Sequence, residues 1–293
     1  MSNAFTRLFL QEDLNFLLTN RIPRALVTQL VGWLAKVENP LLRVPSIAAW
    51  RFFGDVDLSD AAKTEFKSLG DCFIRALKPG SREVDPRPEI FASPCDTIVG
   101  ACGQVQGNQL IQAKGCPYTL EDLLVDPELV QRYQGATWLT LRLTSDMYHR
   151  FHAPYDLRVS RVDYISGDTW NTNPIALKRV EKLFAKNERA VVRCAVQREG
   201  DAAAHELLLV PVASILVASI KLHCLPVLLR INHRGPTRFD CDARFTKGQE
   251  MGWFELGSTI LVFAPPGYSL CPGVEAGVVM RQGQPLLRLP ASR

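Results

Sequence analysis

At 293 residues, 47% of them hydrophobic and 22% charged, the chain can bury a sizeable core in one large domain or two small ones. A net charge of only +4, without an alternating ladder of basic and aromatic residues, excludes a polybasic nucleic-acid binder. Eight scattered cysteines with no Cys-x-x-Cys pair and no matching histidine spacing exclude the common zinc modules, and read as thiols in a reducing compartment.

From Glu12 to Phe53 the sequence predicts three short helices, divided by Pro23 and by the Pro40 to Pro45 segment, because proline stops a helix. Leu26, Val27, Leu30, Val31, Trp33 and Leu34 give the second helix a broad apolar face. Residues 1–53 hold six basic side chains against three acidic ones, a net +3. Such amphipathic helices either lie in a lipid interface, with Phe16, Trp33, Trp50, Phe52 and Phe53 as anchors, or pack on the protein's own core or on a second subunit, which leaves a homodimer open. Arg7, Glu12 and Asp13 interrupt the first apolar residues, so no signal peptide is expected. The longest apolar run, Leu207 to Ile220, falls short of the roughly 18 residues of a membrane span and reads as two buried strands.

Asp60 to Leu69 predicts a fourth helix, capped by Ser59 or Asp60. Beyond Cys72 the texture changes. Short runs of strand composition, among them Thr97 to Val99, Thr137 to Leu143, Ala190 to Val196 and Ser258 to Phe263, alternate with Gly, Pro, Asn and Asp turns. Thr119 to Leu129 is the exception, a helix with Thr119 as cap and Glu121 and Asp122 in its first turn. The fold class expected is α+β, with a mainly β core of antiparallel-rich, barrel-like sheets behind N-terminal amphipathic helices. Residues 1–57 form the helical unit and residues 58–293 the β-rich catalytic domain.

The stretch Phe254-Glu255-Leu256-Gly257-Ser258-Thr259-Ile260 carries the sharpest chemistry. No Cβ shields a glycine carbonyl, so the Ser258 hydroxyl can fold back onto that of Gly257 and take the acyl group from nitrogen to oxygen. If the ester is eliminated, Ser258 becomes a dehydroalanine and then, with loss of ammonia, a pyruvoyl group. The same residues also suit an ordinary Gly-Ser turn. Attack needs a base, and histidine is the side chain whose pKa suits that role. His149 and His152 stand three apart, which points their rings to opposite sides of a strand or to one face of a helical turn. His205, His223 and His233 sit singly and read as structural residues.

Four further stretches keep this motif company: Phe73 to Gly80, Ser93 to Asp96, Lys114 to Leu120 and Tyr148 to Pro154. In order and spacing, the five together resemble the phosphatidylserine decarboxylases over most of the chain from about Phe66 onward. The resemblance implies a self-cleavage triad of Asp96, His152 and Ser258, with cleavage between Gly257 and Ser258 into a large chain and a C-terminal chain of 36 residues that stay together. It implies a covalent pyruvoyl cofactor derived from Ser258, which takes the substrate amine as a Schiff base, and no metal. His149 would donate the proton after decarboxylation. Arg75 and Lys78 match a basic segment that would meet the lipid phosphate, or else are solvated surface charges.

The implied substrate is phosphatidylserine in a bilayer. That places the protein peripherally on a membrane surface, at the cytoplasmic face of a bacterial inner membrane. Glu255, Thr97, Ala213 and Ala218 depart from residues usual in the family, and none of them removes a proposed catalytic group. Two other readings stand beside this one: a pyruvoyl decarboxylase of a soluble amino acid, and an uncut lipid-binding relative.

Overall fold

The computed structural model describes residues 12–111, 117–196 and 205–290 apart from Val217, Asn232 and Leu256, so the Lys114-Gly115-Cys116 part of one motif lies outside it. Three helices open the described chain: α1 (Glu12–Asn20), α2 (Arg24–Leu34) and α3 (Pro40–Gly54). The Asn39 side chain caps α3 by accepting from the Leu41 nitrogen, and Pro40 occupies the first turn, where its missing N–H is not needed. The expectation that Pro40 to Pro45 divides helices is therefore corrected, since that segment begins α3 and Pro45 lies inside it.

No helix forms over Asp60 to Leu69. Ala61 instead pairs with Leu77, and the nitrogens of Ala62 and Lys78 bond the carbonyls of Ala76 and Asp60. The helical turns begin only at α4 (Leu69–Phe73), capped by Ser68. Thr119 and Asp122 form the expected capping box, but the helix they start, α5 (Leu120–Leu124), ends at left-handed Val125. Asp126 and Pro127 then begin α6 (Pro127–Arg132). Two more short helices follow, α7 (Pro174–Arg179) and α8 (Leu183–Lys186).

The strands, in chain order, are β1 (Ile90–Ala92), β2 (Thr97–Gln104), β3 (Gln109–Ile111), β4 (Pro117–Thr119), β5 (Thr137–Leu143), β6 (Arg150–His152), β7 (Leu157–Ile165) and β8 (Arg189–Val196). After these come β9 (His205–Ala213), β10 (Ser219–Leu222), β11 (Leu228–Arg230), β12 (Arg238–Phe245), β13 (Glu250–Phe254), β14 (Ser258–Ala264), β15 (Ser269–Leu270), β16 (Val279–Met280) and β17 (Pro285–Arg288). Eight of them make the main sheet in the order β12-β7-β8-β9-β14-β5-β2-β16. It ends in two edges, so the barrel does not close. A second sheet runs β11-β10-β13-β6, a third β1-β17-β15, and β3 pairs with β4. Every pair in these sheets is antiparallel.

The main sheet is covered on both faces, which is why β14 is apolar along nearly its whole length and buried throughout. Ile260 and Val262 join a cluster with Phe151, Met251 and Phe254 of the second sheet and Ile90 and Leu287 of the third. Leu261 and Phe263 face the other way, into a cluster with Leu120, Leu129 and Phe184 of the helices. The N-terminal helices differ. Ten of the thirteen exposed large hydrophobic side chains among the described residues fall between Leu17 and Phe53, including Trp33, Leu41, Phe52 and Phe53. Among the described residues no helix is long and apolar enough to cross a membrane.

Candidate active site

Phe254 ends a strand of the second sheet and Ser258 begins one of the main sheet, so the Gly257–Ser258 bond lies where the chain crosses between them. Gly257 has a φ of +33°, a conformation that a side chain resists, although a Cβ there would meet nothing closer than 3.6 Å. Ser258 pairs with Leu143 of β5 on one side and Ala213 of β9 on the other. It is fully buried, and among the described residues its Oγ has no hydrogen-bond partner. A buried hydroxyl left unpaired costs about 1–3 kcal/mol. Such a group calls for an explanation in function.

The histidine segment is held against the strand that leads to this bond. β6 pairs with β13, and the Phe254 nitrogen donates to the His149 carbonyl at 3.0 Å. The His149 ring is fully buried and lies against Phe73 with centroids 4.1 Å apart. Its Nδ1 is 2.9 Å from the Met147 carbonyl oxygen, which can only accept, so Nδ1 carries the hydrogen and Nε2 presents a bare lone pair. Among the described residues nothing bonds that Nε2. Burial drives the His149 pKa down to about 3, with the Met147 hydrogen bond opposing, so the ring is neutral at pH 7.

His152 has the same tautomer for the same reason, because its Nδ1 lies 2.8 Å from the Gly248 carbonyl oxygen. Its Nε2 then accepts from the Tyr148 hydroxyl at 2.9 Å. Burial is also the main cause that lowers its pKa. The backbone nitrogen of His152 bonds the Pro94 carbonyl at 2.7 Å, which brings the Ser93 to Asp96 turn alongside.

Asp96 nevertheless does not hold the His152 ring. Its carboxylate accepts from Arg82 Nε at 2.9 Å and from the Gln282 nitrogen at 2.8 Å, while Gly248 and Tyr148 occupy both nitrogens of His152. The structure thus places the three expected triad residues on adjoining segments without the direct hydrogen bonds of a closed Ser, His and Asp relay. Arg82, Gly248 and Tyr148 are the residues that sequence reasoning missed. Only Tyr148 left a signal, four positions before His152 inside a motif already singled out.

Arg75 is not a solvated charge: it is 3% exposed, and Nη2 donates to the Asp146 carbonyl at 3.1 Å. Among the described residues its Nε and Nη1 have no partner. It lines a cleft of about 200 Å³ with Arg82, Asp96 and Tyr148. Lys78 is exposed and donates to the Ser59 carbonyl. A larger cleft of about 310 Å³ has Gly257, Ser214 and Arg142 in its wall. A third cleft, of about 470 Å³, opens between α2 and β10, where Lys36 and Glu255 pair at 3.0 Å.

The family model of phosphatidylserine decarboxylase matches residues 69–288. The chain belongs to this family. It is 35% identical to the phosphatidylserine decarboxylase proenzyme of Anaeromyxobacter sp. (strain K) over 90% of its own length and 94% of that protein's. It is 33% identical to the proenzyme of Haemophilus influenzae (strain ATCC 51907 / DSM 11121 / KW20 / Rd), over 82% of this chain and 83% of the other. The Brevibacillus brevis proenzyme is also 33% identical, over 79% and 82% of the two chains. In this phosphatidylserine decarboxylase family member the Gly257-Ser258 and Tyr148 to His152 stretches lie beside one another across the β6–β13 pair.

Proposed function

We propose that this chain is a precursor that cuts itself between Gly257 and Ser258, and that the mature enzyme removes the serine carboxylate of phosphatidylserine to leave phosphatidylethanolamine and carbon dioxide. The observation that carries the reading is Ser258 itself: a buried hydroxyl without a hydrogen bond among the described residues, directly behind a left-handed glycine, in a family whose relatives are named proenzymes. A pyruvoyl group fits that position, because the hydroxyl lost in making it has no hydrogen bond there to give up. Once formed, the group supplies a ketone for the substrate amine and a sink for the electrons left behind by the departing carboxylate.

In self-cleavage, Ser258 Oγ attacks the Gly257 carbonyl and its proton passes to a histidine, a role assigned to His152 with Tyr148 on its Nε2. Asp96, tied to Arg82, supplies the negative charge of the constellation. The resulting ester loses its Cα proton and expels the carboxylate of Gly257. His149 serves the second reaction. A phosphatidylserine amine arrives as an ammonium and sheds its proton to water before it condenses. His149 then relays a proton through its bare Nε2 to the carbon that the carboxylate has left.

The lipid chains of the substrate stay in a bilayer, and the exposed apolar side chains of α1 to α3 provide the surface that meets it. Both products stay in one particle, because β14 is paired along both edges. The test is a denaturing intact-mass spectrum of the wild type and of Ser258→Ala. The wild type should give two chains, the smaller starting at residue 258 with a ketone in place of its amine, and the variant one inactive chain. An active, uncut wild type would overturn the proposal.

A further inference from the structure

The three clefts differ in how their charges are balanced. The one beside Asp96 sets Arg75, Arg82 and Arg281 against Asp55, Asp57, Asp60, Asp96 and Asp146, so carboxylates outnumber its cations. In the one under α2, Lys36 is paired with Glu255. The cleft with Gly257 in its wall is unlike both. No carboxylate lines it, and its one charged group is the guanidinium of Arg142. Among the described residues the Arg142 side chain makes no hydrogen bond and no ion pair.

The other polar groups of this cleft are donors of the same kind. Thr144, Ser145 and Asn171 line it, and among the described residues neither hydroxyl nor the side-chain Nδ2 of Asn171 is bonded. A half-buried cation ringed by unused donors, with no carboxylate in the lining of the same cleft, is the pattern of an anion site. Gly257 in its wall places it beside the bond to be cut. Arg142 on β5 is the register partner of Thr259 on β14, so its side chain leaves the sheet on the helix-covered face, opposite to that of Ser258. The rim is also tied to the helices that carry the exposed apolar side chains, since the Asn171 nitrogen and the Asn173 amide bond Asn20 and Asn15 of α1. A lipid whose headgroup enters here therefore has its acyl chains on the side of α1.

We infer that this cleft is the headgroup subsite and that Arg142 holds the phosphodiester of the lipid substrate, with Thr144, Ser145 and Asn171 as accessory donors. The inference rests on the decarboxylase reading above. It also explains why a guanidinium is placed here: a cation on the substrate carboxylate would hold back the loss of carbon dioxide, whereas on the phosphodiester it fixes the serine portion without touching the bond that breaks.

The experiment compares wild type, Arg142→Gln and Arg142→Lys, each first shown by intact mass to be cut at residue 258. Arg142→Gln should raise the KM for dispersed phosphatidylserine about tenfold with little change in kcat, and Arg142→Lys should recover part of the loss. Glycerophosphoglycerol, a phosphodiester with no amine, should compete against wild type and not against Arg142→Gln, and inorganic phosphate at the same concentration should compete much less. A wild-type KM in both cut variants would overturn the subsite. Equal competition by inorganic phosphate would mark a free-phosphate site and overturn its assignment to the lipid. If wild type bound the diester through Arg142 yet released no carbon dioxide from phosphatidylserine, the anion site would stand and the decarboxylase reading would fall.

Discussion

The backbone nitrogen of Phe254 donates to the carbonyl of His149 across 3.0 Å, and that bond fixes the histidine segment against the strand from which the chain crosses to Ser258. The two histidines three residues apart are thus presented beside one crossing, but in different states. His152 has both ring nitrogens bonded, whereas His149 has a bare Nε2.

That difference separates two variants. His149→Ala should still be cut at residue 258 but lose decarboxylation by a factor of at least about 10², the usual worth of a positioned proton carrier. His152→Ala should accumulate as one uncut chain. Mass spectrometry for cleavage and carbon dioxide release for activity check both, and equal loss of cleavage in the two would remove the division of roles.

Stability should fall on the acid side. His149 is held down to about 3 from an ordinary 6.5, mainly by burial, with the Arg75 charge pushing it further down and Asp96 pushing it up. Above the ordinary value both folded and unfolded states are neutral. As pH drops below it, the unfolded chain takes up a proton that the folded one refuses, so stability declines by about 1.4 kcal/mol per pH unit toward 3. His149→Gln should flatten the urea-unfolding midpoint between pH 6.5 and pH 4, and an unchanged acid limb would show that another group sets it.

Arg82 joins Asp60 and Asp96, and the side chains of Arg82 and Asp96 are each 11% exposed. Arg82→Met should destabilise the fold by about 3 kcal/mol, because it leaves a nearly buried carboxylate without its cation. Self-cleavage should slow with it. A urea midpoint equal to wild type would mean that water already screens the pair.

Phe52 and Phe53 are 75% and 80% exposed at the end of α3. Changing both to serine should leave the unfolding temperature and self-cleavage unaltered, yet lower flotation with phosphatidylglycerol vesicles about tenfold or more, given the apolar area withdrawn. If the change instead turned a lipid-free dimer into a monomer, the surface would be a contact between subunits.

What was legible in the sequence was whatever local chemistry decides. Strands near Thr97, Thr137, Ala190 and Ser258 follow from their β-branched runs, and the Thr119 cap from its spacing to Asp122. The helix expected over Asp60 to Leu69 failed because Ala61 and Ala62 are drawn into pairing with residues more than a dozen positions later. Position 75 reads as a surface charge until the fold buries it. The partner of His152 Nδ1, the carbonyl of Gly248, lies 96 positions away and is delivered by the pairing of β6 with β13. Motif spacing carries no sign of that contact.

β14 lies between β9 and β5, with four strands of the main sheet beyond it on one side and three on the other. The proposed cofactor, grown from its first residue, would be inherited once by each polypeptide and have no route of exchange, in contrast to one that dissociates and is replaced. Reduction of the ketone, or its capture by a stray amine, would retire the whole molecule. The supply of activity would then be set by the synthesis of new protein rather than by any pool of free cofactor.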